Sequence, residues 1–368
     1  MVRMKTDGIQ GLQRELEEKR LICFGAGNHF DTVMNLYLAY ALERRVEYLM
    51  DNNPALWGTK RRFGSVEYDI TSLDQMIRQE RLERVVILVT NHLYAMEIVD
   101  QMDQRPELDG ISVYVGNFLA ETAGQKSDYE VNVSGTPQIP KKIHFCWFGG
   151  GEIPPEYQRY MESWKRVCPD YEIRRWDESN YDVSMNRYMY QAYQHKSWAF
   201  VSDYARLQII YENGGIYLDC DVELLKSLDD FLTEPMFCGF EDQNHINLGL
   251  GFGAVAGHPY LKRLMEYYES LEFVNPDGSL NQVPCPSYQT ALLKEFGIRD
   301  DNTFQRNKTM TVYPADVFAP LSGWGKGVVT DRAYSIHHYG ATWKTEENKK
   351  RTREMYQAYC DRKMREQI

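Results

Sequence analysis

The chain has 368 residues, long enough for two domains with separate cores. Hydrophobic residues are 43% and charged residues 26%, the balance of an ordinary globular protein, and the net charge of −11 argues against a nucleic-acid binder, which needs a basic face. No apolar run reaches the roughly 20 residues of a membrane helix, and Met1-Val2-Arg3-Met4 is not followed by an apolar signal segment, so a cytoplasmic protein is expected. Seven cysteines with no Cys-x-x-Cys pair fit reduced thiols in that compartment.

The first third alternates strand and helix. Arg20–Phe24 reads as a strand, followed by Gly25-Ala26-Gly27 and a helix over Asp31–Leu42. Val46–Met50, Arg84–Val89 and Ile111–Tyr114 read as further strands, with helices from Ser72 and over Ala95–Met102. This rhythm predicts a small parallel, Rossmann-like sheet over residues 1–122. Gly25-x-Gly27 lacks the third glycine of the dinucleotide fingerprint, so a structural, partner-binding or regulatory module is preferred to a nucleotide site.

Residues 123–138 read as a linker. A second domain, 139–345, opens with a strand at Lys142–Trp147 running into a glycine turn, Gly149-Gly150-Gly151. A helix (Glu156–Val167), a strand (Tyr171–Trp176) and two helices ending near Asn213 lead to Gly214-Gly215. The short strand Ile216-Tyr217-Leu218 then delivers Asp219-Cys220-Asp221. Strands at Phe237–Phe240, Leu250–Val255, Thr309–Tyr313 and Ala333–His338 follow, with a helix over Pro259–Leu271. The tail, 346–368, reads as a charged helix, solvated rather than laid on an anionic membrane.

In a chain this acidic, chance alone yields about eight acid-x-acid triplets, so context carries the weight of Asp219 and Asp221. Two carboxylates at a strand end after a glycine break offer an open site for Mg²⁺ or Mn²⁺ and a diphosphate, the equipment of a sugar-nucleotide transferase. Cys220 points away from them. Ser202, Asp203 and Arg206 share a helix, with Asp203 and Arg206 on one face. On spacing alone this is a surface ion pair; the functional alternative is that Asp203 accepts from sugar hydroxyls and Arg206 donates to phosphate or sugar oxygens. Trp147 is placed either to stack a base or to fill a core. His337 and His338 face opposite ways, so at most one reaches a shared metal.

Together these residues resemble the DXD-motif sugar transferases of glycosyltransferase family 32, which includes yeast-type α-1,6-mannosyltransferases, α-1,4-galactosyltransferases and bacterial capsule enzymes. The chain is also similar to the glucosyltransferase domain of the large clostridial toxins. The resemblance runs from Ile139 to Trp343; it is carried by Ile139–Gly149 and Ala199–Asp221, then by Ile246-Asn247, Gly257-His258-Pro259 and His337–Trp343. It implies an α/β GT-A fold, a Rossmann-like mixed sheet with flanking helices, placed after the small parallel-sheet domain. It also implies a nucleotide-diphosphate sugar donor (UDP favoured, GDP the alternative), Mn²⁺ or Mg²⁺, and a retaining hexosyl transfer to a saccharide or lipid-linked saccharide of a surface or capsular polysaccharide.

By position, the resemblance makes Trp147 the base-stacking residue, and Ser202, Asp203 and Arg206 the contacts to donor sugar and phosphate. Tyr217 neighbours the nucleotide, Asp219 contacts ribose and sugar, Asp221 ligates the metal, and Asn247 lies near sugar and acceptor. His338, Thr342 and Trp343 complete the metal and leaving-diphosphate site, although toxin-type enzymes use an acidic residue where this chain offers His337 or His338. The rival readings are a non-catalytic sugar-nucleotide binder, an NAD-linked oxidoreductase acting through Gly25–Gly27, and a metal-dependent phosphohydrolase.

Overall fold

The computed structural model describes residues 1–120, 129, 131, 135–276, 278–323, 327–340 and 346–366. The chain divides into two compact units, Met1–Ala123 with Lys344–Ile368, and Gly124–Trp343.

The first unit contains β1 (Arg3–Met4), α1 (Gly8–Glu15), β2 (Arg20–Phe24), α2 (Asn28–Leu36), β3 (Val46–Met50), β4 (Lys60–Phe63), β5 (Val66–Thr71), α3 (Leu73–Gln79), β6 (Val85–Val89), α4 (Ala95–Asp103) and β7 (Ser112–Val115). Its sheet runs β1-β7-β6-β2-β3-β5-β4, and every pairing is parallel except β4 with β5. The five residues of β6 are all buried, as an unbroken Val/Ile/Leu run requires of a strand covered on both faces. Ser72 caps α3 by accepting from the Gln75 backbone N–H at 3.1 Å.

Three features of this unit differ from the expectation. The helix drawn over 31–42 spans Asn28–Leu36 and gives way to two short 3₁₀ turns around Ala41, which sits at φ 49°. Buried Tyr37, donating to the Gly116 carbonyl, and buried Leu42 turn the chain inward there, so packing overrides the helical periodicity. The β4–β5 hairpin turns through Gly64-Ser65, a signal present in the sequence but not read. The C-terminal helix, Glu346–Glu366, is not simply a solvated helix: Thr352, Met355, Tyr356, Tyr359 and Cys360 are buried, and Tyr359 stacks on Phe118 at 3.8 Å. Arg362 on this helix is buried against Asp103 at 2.6 Å and the Val2 carbonyl at 3.3 Å. Counting its charges hid an apolar stripe at helical spacing.

The second unit contains β8 (Lys142–Cys146), α5 (Pro155–Val167), β9 (Glu172–Trp176), α6 (Arg187–Gln194), α7 (Trp198–Asn213), β10 (Gly215–Tyr217), β11 (Val222–Leu224), β12 (Met236–Gly239), β13 (Phe252–Ala254), α8 (Pro259–Glu269), α9 (Cys285–Leu293), β14 (Gln305–Arg306), β15 (Thr311–Tyr313), α10 (Ala315–Phe318) and β16 (Ser335–His337). Its main sheet, β14-β15-β12-β13-β10-β8-β9, is mixed, and β11 and β16 form a separate antiparallel pair. The α/β class, with a mixed sheet following a mainly parallel one, is as expected.

Helix α7 is buried along most of its length, from Phe200 to Ile210. It ends because Gly214 (φ 62°) and Gly215 (φ 105°) occupy the left-handed region, and a side chain on Gly215 would meet the Lys142 carbonyl at 2.9 Å. Beside this break, His144 is fully buried: it accepts from the Trp176 indole N–H through Nδ1 at 3.0 Å and faces the Gly214 carbonyl through Nε2 at 3.2 Å. Its tautomer is therefore proton on Nε2. Burial lowers its pKa to about 4, with Arg174 and Lys142 adding to the shift against the pull of the Gly214 carbonyl.

The pH consequence has a definite sign. With a folded pKa below the unfolded value of 6.5, the unfolded chain takes up the proton first, so the stabilisation is complete above pH 6.5 and is lost as pH falls toward 4. Urea unfolding of wild type should therefore lose about 3 kcal/mol more than His144→Gln between pH 7 and pH 4. Parallel pH profiles for the two proteins would contradict this.

Candidate active site

The site is built around Arg206. Its guanidinium is 3% exposed. Nη2 lies 3.0 Å from Asp203 Oδ1, 3.4 Å from Asp219 Oδ1 and 3.0 Å from Ser202 Oγ, while Nε donates to the Ser202 carbonyl at 3.0 Å. The pair on α7 is thus not a surface ion pair; Asp203 is 6% exposed. Burial raises Asp203 to about 6 against the opposing pull of Arg206. Burial disfavours the Arg206 charge too, but Asp219, Tyr217 and Asp203 outweigh it and hold the guanidinium protonated.

Asp219-Cys220-Asp221 follows the end of β10 and leads through a turn into β11. Tyr217 donates to Asp219 Oδ1 at 3.0 Å, and its ring lies under Arg206, 5.1 Å from the guanidinium carbon. Cys220 turns inward, its thiol 3.6 Å from the Cys146 carbonyl. The strand pair then completes the site. Antiparallel β11–β16 sets Val222 opposite His337, which brings the His337 Nε2 to 3.2 Å from Asp221 Oδ1. Asp221 Oδ2 accepts from the Gly340 backbone N–H at 2.8 Å. Burial would raise Asp221, but His337 and Gly340 outweigh it and hold the carboxyl at about 2. Asp219, facing both Arg206 and Asp221, is raised, mainly by burial.

The strand β11 is itself pinned by α5. Trp164 donates its indole N–H to the Val222 carbonyl at 2.8 Å, and Ser163 Oγ accepts from Leu224 N at 2.8 Å. Both partners are buried, so the strand that follows the acidic turn is held by groups that would otherwise be left unpaired.

Donor atoms of Asp219, Asp221 and His337 lie within 4.8 Å of one another. His337 Nδ1 is buried without a hydrogen-bond partner among the described residues. Two carboxylates and one imidazole fit a divalent ion that prefers oxygen and tolerates nitrogen, such as Mn²⁺. The expectation for His338 is corrected: alternation along β16 turns it to the other face, where it stacks on Tyr160 at 3.9 Å and pairs with Glu223 at 3.0 Å.

Trp147 follows Cys146 at the end of β8, next to the acidic turn. Its indole donates to the Gly151 carbonyl at 2.7 Å, and its half-buried ring meets Tyr157 edge-on at 6.3 Å. Asn247 uses both ends of its amide: Oδ1 accepts from Gly249 N at 2.6 Å and Nδ2 donates to Glu241 at 2.8 Å. Thr342 and Trp343 lie outside the described residues. Two participants escaped the sequence reading. Glu241, two residues past β12, is pushed up to about 7 by burial and by Asp242. At Gly249 a Cβ would fall 2.2 Å from Asp219 Oδ2 and 3.1 Å from Arg206 Nη1. The only signal for either was its place around Asn247.

Comparison with known proteins places the same segment. Residues 154–238 match the family model of the glycosyltransferase sugar-binding region containing DXD motif. Inositol phosphoceramide mannosyltransferase 3 of Schizosaccharomyces pombe is 31% identical over 142 residues, 38% of this chain and 39% of that protein. Inositol phosphoceramide mannosyltransferase 2 of the same organism is 28% identical over 148 residues, 39% of this chain and 42% of that protein. The chain thus spans about two fifths of the length of these relatives. Among solved structures, PaToxG Glycosyltransferase aligns with a TM-score of 0.35 and 19% identity over 44% of this chain and 71% of that one. The resemblance to DXD-motif sugar transferases read from the motifs is thus present in the sequence relatives. No described helix is long and apolar enough to cross a membrane.

Gly249 supplies a test of the geometry. Gly249→Ala should push Asp219 out of line with Asp221 and His337, because Tyr217 and Arg206 hold its other oxygen. Manganese affinity, read by electron paramagnetic resonance titration, should fall at least ~10-fold, about 1.4 kcal/mol. Unchanged affinity would show that Asp219 is not part of the donor set.

Proposed function

We propose that this chain is a metal-dependent, retaining glycosyltransferase that moves a hexose from a nucleotide-diphosphate sugar to a hydroxyl of a saccharide or lipid-linked saccharide. The observation that carries the reading is the convergence of Asp219, Asp221 and His337 beside the buried guanidinium of Arg206. The match of residues 154–238 to the DXD sugar-binding region supports it, and the mannosyltransferase names of the relatives make a mannosyl donor the first to test. In this reading UDP- and GDP-sugars are the donor classes, and the setting is surface-polysaccharide synthesis on the cytoplasmic side of the cell.

Asp219, Asp221 and His337 would hold the divalent cation, which would supply Lewis-acid stabilisation of the departing diphosphate. Arg206 is fixed by Ser202, Asp203 and Asp219, so it needs no reorganisation to donate to a phosphate or sugar oxygen. Asp203 accepts from a sugar hydroxyl, Trp147 offers its ring to the base, and Asn247 stands beside Asp219 toward the acceptor. In the transfer the bond from the anomeric carbon to the diphosphate oxygen breaks. A bond to the acceptor oxygen forms on the same face, and the acceptor proton leaves with a diphosphate oxygen.

Asp221→Ala should lower turnover of a UDP- or GDP-hexose at least 100-fold while circular dichroism and melting stay close to wild type, and EDTA should do the same to the wild-type protein. Full turnover in the variant or in EDTA would overturn the mechanism. Release of inorganic phosphate would indicate a phosphohydrolase instead.

A further inference from the structure

Glu241 opens a tight loop just past β12 and is half-buried. The loop closes without its side chain. Phe240 bridges Ile246, Glu241 N donates to the His245 carbonyl at 2.8 Å, and Asp242 Oδ1 accepts from the Asn244 and His245 backbone N–H groups at 2.8 Å each. Asn247, beyond the loop, is placed by other groups as well. Its backbone N–H donates to the Gly239 carbonyl at 3.2 Å, and its Oδ1 accepts from Gly249 N at 2.6 Å. The Glu241 carboxyl is thus not what folds this segment.

Keeping a carboxyl there is costly. Burial and Asp242 act against its charge, and the compensation is one hydrogen bond, from Asn247 Nδ2 to Oε2 at 2.8 Å, with the pull of His245 and His337. Among the described residues none donates to Oε1. The carboxyl also stands next to the acidic triad. Its partner Asn247 has Oδ1 2.9 Å from where a Gly249 Cβ would sit, and Asp219 Oδ2 is 2.2 Å from that same point. Tyr339, whose ring meets His337 edge-on at 4.2 Å, is influenced by Glu241 more than by any other charge. In a same-face transfer the attacking hydroxyl lies beside the departing diphosphate oxygen. The groups that border the diphosphate site therefore border the acceptor hydroxyl too.

We infer that Glu241 is a substrate-contacting residue, its Oε1 accepting the hydrogen bond of the saccharide acceptor's attacking hydroxyl and so aiming that oxygen at the anomeric carbon. The inference rests on the transferase reading and adds to it the residue that receives the acceptor. Glu241 orients the hydroxyl and keeps no proton from it. The acceptor proton leaves with the diphosphate oxygen, as the new bond to the anomeric carbon forms and the old one breaks.

Glu241→Gln separates this role from a structural one. Gly249 N already occupies Asn247 Oδ1, so Asn247 Nδ2 must donate to residue 241. A glutamine there accepts with its carbonyl oxygen and turns its NH₂ to where Oε1 stood. The hydrogen bond within the fold survives, and the substrate-facing acceptor becomes a donor. Wild type and variant are compared by melting, by calorimetric titration with GDP, GDP-mannose, UDP and UDP-glucose in Mn²⁺, and by transfer to the methyl glycosides of mannose, glucose and galactose. The variant should melt with wild type and bind nucleotide and sugar nucleotide within about 2-fold of it, while KM for the best glycoside rises at least ~10-fold. A wild-type KM for the glycoside would overturn the inference. So would a matching loss of nucleotide affinity or melting temperature, which marks a structural residue, or a loss confined to the sugar nucleotide relative to its nucleotide, which places the contact on the donor. A wild-type protein that hydrolyses a sugar nucleotide but transfers to no glycoside would overturn this inference alone. A wild-type protein that turns over no sugar nucleotide would overturn the transferase reading itself.

Discussion

A guanidinium taken out of water must be matched by negative charge and by hydrogen bonds, or the fold does not tolerate it. Arg206 is matched twice, by Asp203 one turn earlier on its own helix and by Asp219 from the turn after β10. That double match ties α7 to the acidic turn. It also explains how the buried part of this helix, Phe200 to Ile210, tolerates the charges of Asp203 and Arg206, and why the residue facing this cluster is Gly249, where a Cβ would crowd both Asp219 and Arg206. Removing Arg206 would strand two carboxylates in a region already crowded with them.

Beyond that anchor the local charge is unbalanced. Asp203, Asp219 and Asp221 face one guanidinium and one imidazole, and Glu241 adds a further acidic group through Asn247. The imbalance is held by structure rather than relieved by it: Tyr217, Gly340 and His337 fix the carboxylates at close quarters. In the proposed reading, this fixed cluster of acids, with the His337 Nε2 facing Asp221, is preorganised for a cation. The short β11–β16 ladder is what completes it, since slipping its register by one residue would present His338 in place of His337.

Much of this was legible from residue order. The acidic turn, the glycine break before it and the involvement of one of two adjacent histidines follow from strand alternation and turn chemistry. Which histidine faces inward was not legible, because it depends on the pairing of β16 with β11, two segments more than 100 residues apart. The burial of Asp203 and Arg206 was also hidden: an i, i+3 ion pair reads the same on an exposed or a buried helix. Glu241 and Gly249 gain meaning only once β12 and the segment before β13 converge on Asp219. In the first unit, the apolar face of the C-terminal helix was masked by its many charges, and a cavity at the carboxyl ends of β2 and β6 depends on strand order that periodicity does not encode.

The central claim is that Asp219, Asp221 and His337 form one cation site that receives a nucleotide diphosphate. The most direct measurement is an anomalous difference map, at the manganese absorption edge, of crystals soaked with Mn²⁺ and a nucleoside diphosphate. The account predicts one strong peak bonded to Asp221 and His337, near Asp219, with the diphosphate oxygens completing its coordination. An empty pocket with the nucleotide bound, or manganese found only elsewhere on the chain, would contradict it.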